Sequence, residues 1–182
     1  MSMGTWEKIS TKKVFETKWF YIDEDKLLTP SGKDATFYTI RKPSCMIAIP
    51  FDGQRVYLVK VFRPSSFRYS WELPMGGVEK DSDQTAASRE LKEETGLTAD
   101  KWTYLGQLEF ANGIMDQNGK VFLAEDLNQG EPNRDPAEED MEVKAFSLAE
   151  IDDMITHNKI WDGPTIASFY FFKMLLKSNP LS

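Results

Sequence analysis

The sequence predicts a mixed α/β layered domain, in which a sheet is covered by two or three helices. Two continuous apolar runs, residues 45–51 and 55–62, are typical of strands that are covered on both faces. A segment with helical spacing and many charges follows them and stops at Gly96. Further strand-like runs then alternate with two more helical segments, which is the pattern of a layered α/β fold.

The first 42 residues are predicted to form antiparallel strands. Residues 15–28 have the composition of extended chain, and Thr-Pro-Ser-Gly at 29–32 is a turn signal. Residues 36–41 are a further predicted strand.

The middle of the chain contains a predicted hairpin and the charged helix. Asp52 and Gly53 separate the two apolar runs, and this dipeptide predicts that the runs are joined as a hairpin. Either Ser82 or Asp83 can cap the helix. Gly96 supplies its C-terminal stop.

The later segments continue the alternation of strands and helices. A capping box, Ser147 to Glu150, predicts a short helix, and Asp162-Gly163-Pro164 predicts the start of a final one. The other predicted elements are strands at 102–110, 120–124 and 142–146, with a polar surface loop at 128–140.

Length and composition limit the possible classes of protein. With 182 residues and 20.9 kDa, a single domain over 1–182 is expected. The net charge of −7 argues against a general nucleic-acid binder. No apolar run approaches the ~18 residues of a membrane span, and the N-terminus lacks the apolar core of a secretory signal. Cys45 is the only cysteine, which excludes an intrachain disulfide. A cytoplasmic enzyme fits these observations.

The segment Arg89 to Leu97, RELKEETGL, is the most informative part of the chain. At about 3.6 residues per turn, Glu90, Glu93 and Glu94 fall on one helix face. Like charges four residues apart cost an isolated helix roughly 0.2–0.5 kcal/mol. A bound cation explains that cost, and hard divalent ions take carboxylate ligands. A solvated acidic face is the competing interpretation.

These residues resemble the second half of the Nudix box, G-x5-E-x7-R-E-U-x-E-E-x-G-U, where U is a bulky aliphatic residue. The preceding LPMGGVE, residues 73–79, resembles the Leu-Pro-x-Gly-Gly-x-Glu lead-in of many members. Counting back from Arg89 puts Asp81 at the first Glu of the box and Met75 at its first Gly. We favour a loop one residue shorter, with Gly76 as the family glycine. The resemblance implies an α/β/α sandwich with a mixed sheet, and metal-dependent hydrolysis of nucleoside diphosphate derivatives.

The flanking segments look like the ADP-ribose and nucleoside diphosphate sugar pyrophosphatase branch of this family. VKVFRP at 59–64 and WELP at 71–74 resemble its signatures, although Val61 stands where many members carry Gln. The branch implies cleavage of a diphosphate bond into a nucleoside monophosphate and a sugar phosphate. The alternatives are a Nudix hydrolase of nucleoside triphosphates or dinucleoside polyphosphates, or a non-catalytic nucleotide sensor. Weaker similarities to the sequences of this branch occur at residues 122–124, 139–143 and 162–167.

Glu90 and Glu94 are the predicted ligands of Mg²⁺ or Mn²⁺, and Glu93 is the next candidate. By resemblance, the carbonyl of Met75 completes the metal shell. Arg89 is four residues from Glu93, so the two can pair, with the arginine orienting Glu93. Among the structural residues of the motif, Gly76 and Gly77 let the backbone approach the metal, although a plain tight turn also explains glycines, and Gly96 ends the helix.

The general base is predicted to be a carboxylate, since His157 is the only histidine. Members of this branch often take the base from the acidic loop before the last strand. That loop predicts Glu139 as the base and Glu138 as the second choice, with Glu93 a further catalytic candidate. A solvated acidic loop is the alternative.

The substrate contacts are predicted from charge and aromatic residues. Arg63 is a candidate clamp for the diphosphate, or else an exposed charge at a strand end. Trp19, Phe20 and Tyr21 can stack on a nucleobase, but core or dimer packing is the alternative for at least two of them. The branch commonly exchanges its N-terminal strands, which predicts a homodimer in which residues 1–42 join subunits and 43–178 form the catalytic core.

Overall fold

The computed structural model describes residues 4–78, 82–134 and 140–178. In chain order the described elements are β1 (Glu7–Glu16), β2 (Tyr21–Leu28), β3 (Asp34–Arg41), β4 (Cys45–Pro50), β5 (Arg55–Arg63), β6 (Arg68–Glu72), β7 (Met75–Gly77), α1 (Asp83–Thr95), β8 (Leu97–Glu109), β9 (Asn118–Gln129), β10 (Glu142–Ser147), α2 (Leu148–Thr156) and α3 (Gly163–Ser178). They form two compact units, Met1–Pro43 with Glu109–Asn118, and Ser44–Leu108 with Gly119–Ser182. None of the helices in the described ranges is long and apolar enough to cross a membrane.

The first unit contains an antiparallel sheet in the order β1-β2-β3. This confirms antiparallel N-terminal strands, but β1 begins well before residue 15, where extended structure was expected. Every residue of β1 is exposed. A strand without a buried face has no apolar alternation, so hydrophobic periodicity does not reveal it.

Arg41 holds the first unit together through three carboxylates. Its guanidinium is 3.0 Å from the carboxylates of Asp23, Asp25 and Asp116, of which the first two belong to buried residues. The Thr11 hydroxyl donates to Asp25 at 2.5 Å. This hydrogen bond lowers the pKa of Asp25 because it favours the charged form, whereas burial acts in the opposite direction. The network links all three strands to the segment 109–118.

The second unit contains two sheets. One has the order β7-β4-β9-β8, with β4 parallel to β9 and antiparallel to β7, and the other has the order β10-β5-β6. The predicted mixed sheet is therefore confirmed. All residues of β4 are buried, as the continuous apolar run predicts.

Two helices cover opposite faces of β4. Met46 packs with Ala86 and Ala87 of α1, and two residues later Ala48 packs with Leu91. Phe51 lies at an odd position of the same run, and its ring is 5.0 Å from that of Phe172 in α3. Since neighbouring side chains of an extended chain point to opposite faces, α1 and α3 enclose the sheet as an α/β/α sandwich.

The predicted hairpin between the two apolar runs is wrong beyond its first pair of residues. Only an isolated bridge joins Phe51 to Val56, and then β4 and β5 enter different sheets. The turn itself is built as expected, because Asp52 accepts hydrogen bonds from the next backbone N–H groups. Both edges of β4 are occupied by β7 and β9, so the β5 backbone pairs with β6 and β10 instead.

The limits of α1 that the capping residues predict are confirmed. Of the two candidate caps, Ser82 is the N-cap, and its hydroxyl accepts the N–H of Thr85 at 3.4 Å. Gly96 ends the helix with a φ of 76°, a left-handed conformation that glycine adopts without strain. The capping box of Ser147 and Glu150 at the start of α2 is also present.

The predicted surface loop at 128–140 begins later than expected, because β9 extends to Gln129. The following residues are not simply solvated. A Cβ at Gly96 would be 2.5 Å from the carbonyl oxygen of Gly130, and the N–H of Asn133 donates to the carbonyl of Glu93 at 3.0 Å. Residues 130–133 therefore lie against the C-terminal end of α1.

Candidate active site

The three glutamates on the acidic face of α1 differ in their exposure to solvent. The Glu93 side chain is 35% exposed and that of Glu90 is 13% exposed, whereas Glu94 is only 5% exposed. A carboxylate in such a position is costly unless positive charge compensates it. The gradient therefore argues against a merely solvated acidic face.

Arg89 lies between two of these acids. Its Nη1 is 2.8 Å from Glu90 Oε1 and 2.8 Å from Glu93 Oε2. Its Nη2 donates to the carbonyl oxygen of Gly77 at 3.0 Å. The pairing of Arg89 with Glu93 that the sequence spacing suggested is thus present, and the same guanidinium joins α1 to β7.

The backbone of β7 offers carbonyl groups on the side away from β4. Pro74 and Val78 make hydrogen bonds across the ladder at 2.9 and 3.1 Å. Residues of an antiparallel pair alternate between hydrogen-bonded and non-hydrogen-bonded positions. Met75 and Gly77 fall in the non-hydrogen-bonded positions, so their carbonyls point away from β4. The Gly77 carbonyl accepts from Arg89, and the Met75 carbonyl is on the same side.

Gly76 lies directly against the carboxylate of Glu90. A Cβ built at Gly76 would overlap the carboxylate carbon and both of its oxygens. At Gly77, by contrast, a Cβ would meet nothing within 4 Å. The first glycine is required by the position of Glu90, and the second is not required for space.

Replacing Gly76 by alanine is expected to lower kcat/KM by roughly 10- to 100-fold, a loss typical of disturbed support for a metal ligand. The new methyl group overlaps the Glu90 carboxylate and must displace it. Steady-state kinetics of G76A and G77A measure this effect, with G77A as the matched control. Equal losses in the two variants would contradict it.

The oxygen donors of this region fit a hard divalent ion. The carboxylates of Glu90 and Glu94 and the carbonyl of Met75 are ligand types that Mg²⁺ and Mn²⁺ accept. The space left by the missing side chain of Gly76 is where the Glu90 carboxylate lies. Within the described ranges, no three His, Cys, Asp or Glu side chains are already grouped as a metal site. Arg89 instead holds Glu90 and Glu93.

Arg63, the predicted diphosphate clamp, is at the end of β5 and is held by a buried acid. Its Nε donates to Glu72 Oε1 at 2.9 Å, and its Nη2 makes a second bond to Oε2 of the same carboxylate. The Arg63 side chain is 41% exposed, while that of Glu72 is 1% exposed. A bidentate pair of this kind fixes the plane of the guanidinium and leaves its other edge accessible.

The electrostatics of this pair connect it to α1. The hydrogen bond to Glu72 raises the pKa of Arg63, and the charges of Asp162 and Glu94 contribute in the same direction. Burial raises the pKa of Glu72, and Arg63 only partly offsets that effect. The arginine of β5 therefore lies in the field of the acidic helix.

Replacing Arg63 by alanine is expected to destabilise the fold by about 3 kcal/mol near pH 8, because Glu72 then keeps a buried, uncompensated charge. The folded pKa of Glu72 lies above its unfolded value, so the folded state retains a proton that the unfolded state has lost. Stability of the variant should therefore fall as pH rises from the ordinary carboxyl pKa toward the raised one. Urea unfolding at about pH 5.5 and pH 8 measures this dependence.

The double variant R63A/E72Q is the control, since it leaves no buried charge and should recover stability near pH 8. A loss in R63A of equal size at both pH values would contradict the assignment of Glu72 as the cause.

Two contributing residues, Glu72 and Arg134, were not identified from the sequence. Arg134 Nε donates to the carbonyl of Glu94 at 3.0 Å, and its Nη1 donates to the carbonyl of Met141 at 2.6 Å. It thus ties the end of α1 to the start of β10. The WELP motif was a signal for Glu72, because it places an acid between two apolar residues. Nothing in the polar segment around Arg134 marked it.

Other predicted site residues lie in the first unit or outside the described residues. Trp19 is 68% exposed with Lys18 over its ring, and Tyr21 is 37% exposed with Lys13 over its ring. Phe20 is half-buried against Phe15. Core packing is therefore excluded for Trp19 and Tyr21. The predicted bases Glu138 and Glu139, and also Asp81, lie outside the described residues.

Comparison with known proteins agrees with this architecture. The family model of the NUDIX domain matches residues 41–169. The chain is 29% identical over 171 residues to an ADP-ribose pyrophosphatase of Bacillus subtilis (strain 168), covering 92% of this chain and 90% of the relative. It is 28% identical over 171 residues to an ADP-ribose pyrophosphatase of Mycobacterium tuberculosis (strain ATCC 25618 / H37Rv), covering 92% and 83%.

A solved structure, described as the crystal structure of an ADP compounds hydrolase, has the same fold. Its TM-score is 0.88 at 19% sequence identity, with 100% of both chains covered. Since the family model spans more than half of the sequence, the chain belongs to the Nudix family. Within that family it is a pyrophosphatase, an enzyme that hydrolyses phosphoric anhydrides.

Proposed function

We propose that this enzyme hydrolyses the diphosphate bond of ADP-ribose or of a nucleoside diphosphate sugar, releasing a nucleoside monophosphate and a sugar phosphate. The observation that carries the proposal is the buried carboxylate of Glu94, one turn from Glu90, in the electrostatic field of the anchored Arg63. The names of both ADP-ribose pyrophosphatase relatives support this choice of substrate class.

Glu90 and Glu94 would hold Mg²⁺ or Mn²⁺, with the Met75 carbonyl as a further ligand and Glu93 as the next carboxylate. When bound, such an ion neutralises diphosphate oxygens and activates water. Arg89 keeps Glu93 oriented and fixes α1 against β7.

The remaining roles belong to residues around the diphosphate. Arg63, held by Glu72, would bind the bridging phosphates with the accessible edge of its guanidinium. Glu139 would take the proton from the attacking water, with Glu138 as the second candidate.

A substrate panel tests the proposal. ADP-ribose, ADP- and GDP-sugars, ATP and dinucleoside polyphosphates are incubated with the enzyme and magnesium, and monophosphate release is measured. We expect ADP-ribose or one nucleotide sugar to give the highest kcat/KM. A preference for ATP or a dinucleoside polyphosphate would assign the other hydrolase class, and binding without any hydrolysis would indicate a sensor.

We further propose that the active enzyme is a homodimer, in which exposed aromatic residues of the N-terminal segment, residues 1–42, meet the second copy. Trp6, Phe15, Trp19 and Phe37 are all about half exposed or more, and such rings commonly lie at interfaces. Nucleobase stacking by Trp19, Phe20 and Tyr21 belongs to the same proposal. Light scattering at assay concentrations should give twice the mass of the chain, and a fully active monomer would refute it.

A further inference from the structure

Two adjoining cavities lie at the β10-β5-β6 sheet, in which β6 is an edge strand. Lys60 is paired with Trp71 in the ladder, while the neighbouring Val59 is paired with Glu72. Because side chains alternate along a strand, Lys60 and Trp71 share one face and Arg63 and Glu72 share the other. Arg68 is paired with Arg63, so by the same register it belongs to the face of Arg63, and the second cavity includes residues of both faces at this edge of the sheet.

The first cavity is suited to a flat, weakly polar ring. Its volume is about 570 Å³, and Trp71, Phe146 and Met154 supply its apolar walls. The rings of Trp71 and Phe146 meet edge to face at 4.9 Å, so their positions are fixed. Of the two carboxylates on its border, Glu150 is engaged in the capping box, where it accepts the N–H of Ser147 at 2.7 Å. Asp153 is exposed and lies 3.1 Å from the ring nitrogen of His157.

The second cavity is suited to an anion. Its volume is about 340 Å³ and it shares Trp71 and Lys159 with the first. Lys60, Arg68 and Lys159 line it, and its described lining residues include no carboxylate. Lys60 is paired with Glu142 at 2.7 Å, which leaves Arg68 and Lys159 as the main cations. The Tyr69 hydroxyl in this lining donates to Asp140 at 2.5 Å, so that carboxylate is also engaged.

The guanidinium of Arg68 is positioned by contacts within the protein. Its guanidinium stacks over the ring of Trp161 at 4.0 Å. The indole N–H of Trp161 in turn donates to the carbonyl of Tyr69 at 3.2 Å. A guanidinium stacked in this way keeps its N–H groups in one plane, which suits bidentate binding of a phosphate.

We propose that these two cavities form a second binding site, for a nucleoside monophosphate. The base lies in the first cavity against Trp71 and Phe146, and the phosphate lies in the second cavity at Arg68 and Lys159. The described lining residues of these cavities include neither Arg63 nor the candidate metal ligands, and the inference does not depend on the substrate proposed for the active site.

The experiment is a titration with AMP followed through the indole N–H signals of the five tryptophans in NMR spectra. It uses the full chain carrying E90Q, in the presence of a chelator, so that metal-dependent binding is removed. We expect the signals of Trp71 and Trp161 to shift on saturation. R68A and K159A should each weaken AMP binding by roughly 10-fold, as loss of one charge-assisted contact predicts.

K33A is the matched control, because Lys33 is an exposed lysine that does not line either cavity. The AMP affinity of this variant should be unchanged. Circular dichroism establishes that each variant is folded. Adenosine and ribose 5-phosphate supply the ring and the phosphate separately, and both should bind more weakly than AMP. The proposal is overturned if AMP does not shift the two indole signals, or if R68A and K159A bind AMP normally. Inorganic phosphate that binds as tightly as AMP would also overturn it.

Discussion

Replacing Glu94 by glutamine is expected to lower kcat/KM by more than roughly 100-fold, beyond the 10- to 100-fold typical of residues that only support metal ligands. The substitution keeps the shape of the side chain and removes the charge that a divalent ion needs. Because Glu94 is 5% exposed, the neutral amide also avoids the cost of burying a charge. The amide also loses the attraction between Glu94 and Arg63, which opposes that gain, so the free energy of unfolding without metal should change little.

E90Q should lose activity to a similar extent, since Glu90 is the second carboxylate of the same helix face. E125Q is a suitable control, because Glu125 is an acid of β9 that pairs with Lys101 outside the site. Kinetics over a range of magnesium concentrations, together with urea unfolding, measure both effects. Activity of E94Q within a factor of ten of the parent enzyme, at saturating magnesium, would contradict its role as a ligand.

The second large effect is expected from Glu139. E139Q should lower turnover by roughly 10²- to 10⁴-fold, the range for loss of a general base, while magnesium binding stays largely intact. Turnover at saturating substrate and a magnesium titration, each made on the parent enzyme and on E139Q, measure the two quantities.

E138Q is the natural comparison, because Glu138 is the neighbouring acid and the second candidate. If Glu139 is the base, E138Q should keep most of the turnover of the parent enzyme. Near-normal turnover of E139Q would reject the assignment, and a large loss confined to E138Q would move the role to Glu138.

Local features of the fold were predictable because the residues that cause them are close in sequence. Ser82 and Gly96 begin and end α1 through contacts with residues three or four positions away. The buried strand β4 was evident from six apolar residues in succession. The exposed strand β1 was missed over much of its length, since nothing in its composition distinguishes inside from outside.

In the candidate site, too, contacts between nearby residues were predictable and contacts between distant segments were not. Glu90, Glu93 and Glu94 share a face through helix geometry alone, and the pairing of Arg89 with Glu93 follows from their spacing. The ion pair of Arg63 with Glu72 depends on the register of β5 with β6, which sequence did not supply. The hydrogen bond of Arg134 to the carbonyl of Glu94 likewise joins residues that are 40 positions apart in the chain.

The sequence by itself determined the acidic helix, its limits, the candidate metal ligands and the resemblance to the Nudix family. Only the tertiary structure decided that β4 and β5 belong to different sheets. It also decided that Gly76 must lack a side chain beside Glu90, and that Glu72 holds Arg63 in place. The reason is physical. Helix periodicity and capping act over three or four residues, whereas strand partners and buried ion pairs form between segments that meet only after the chain has packed.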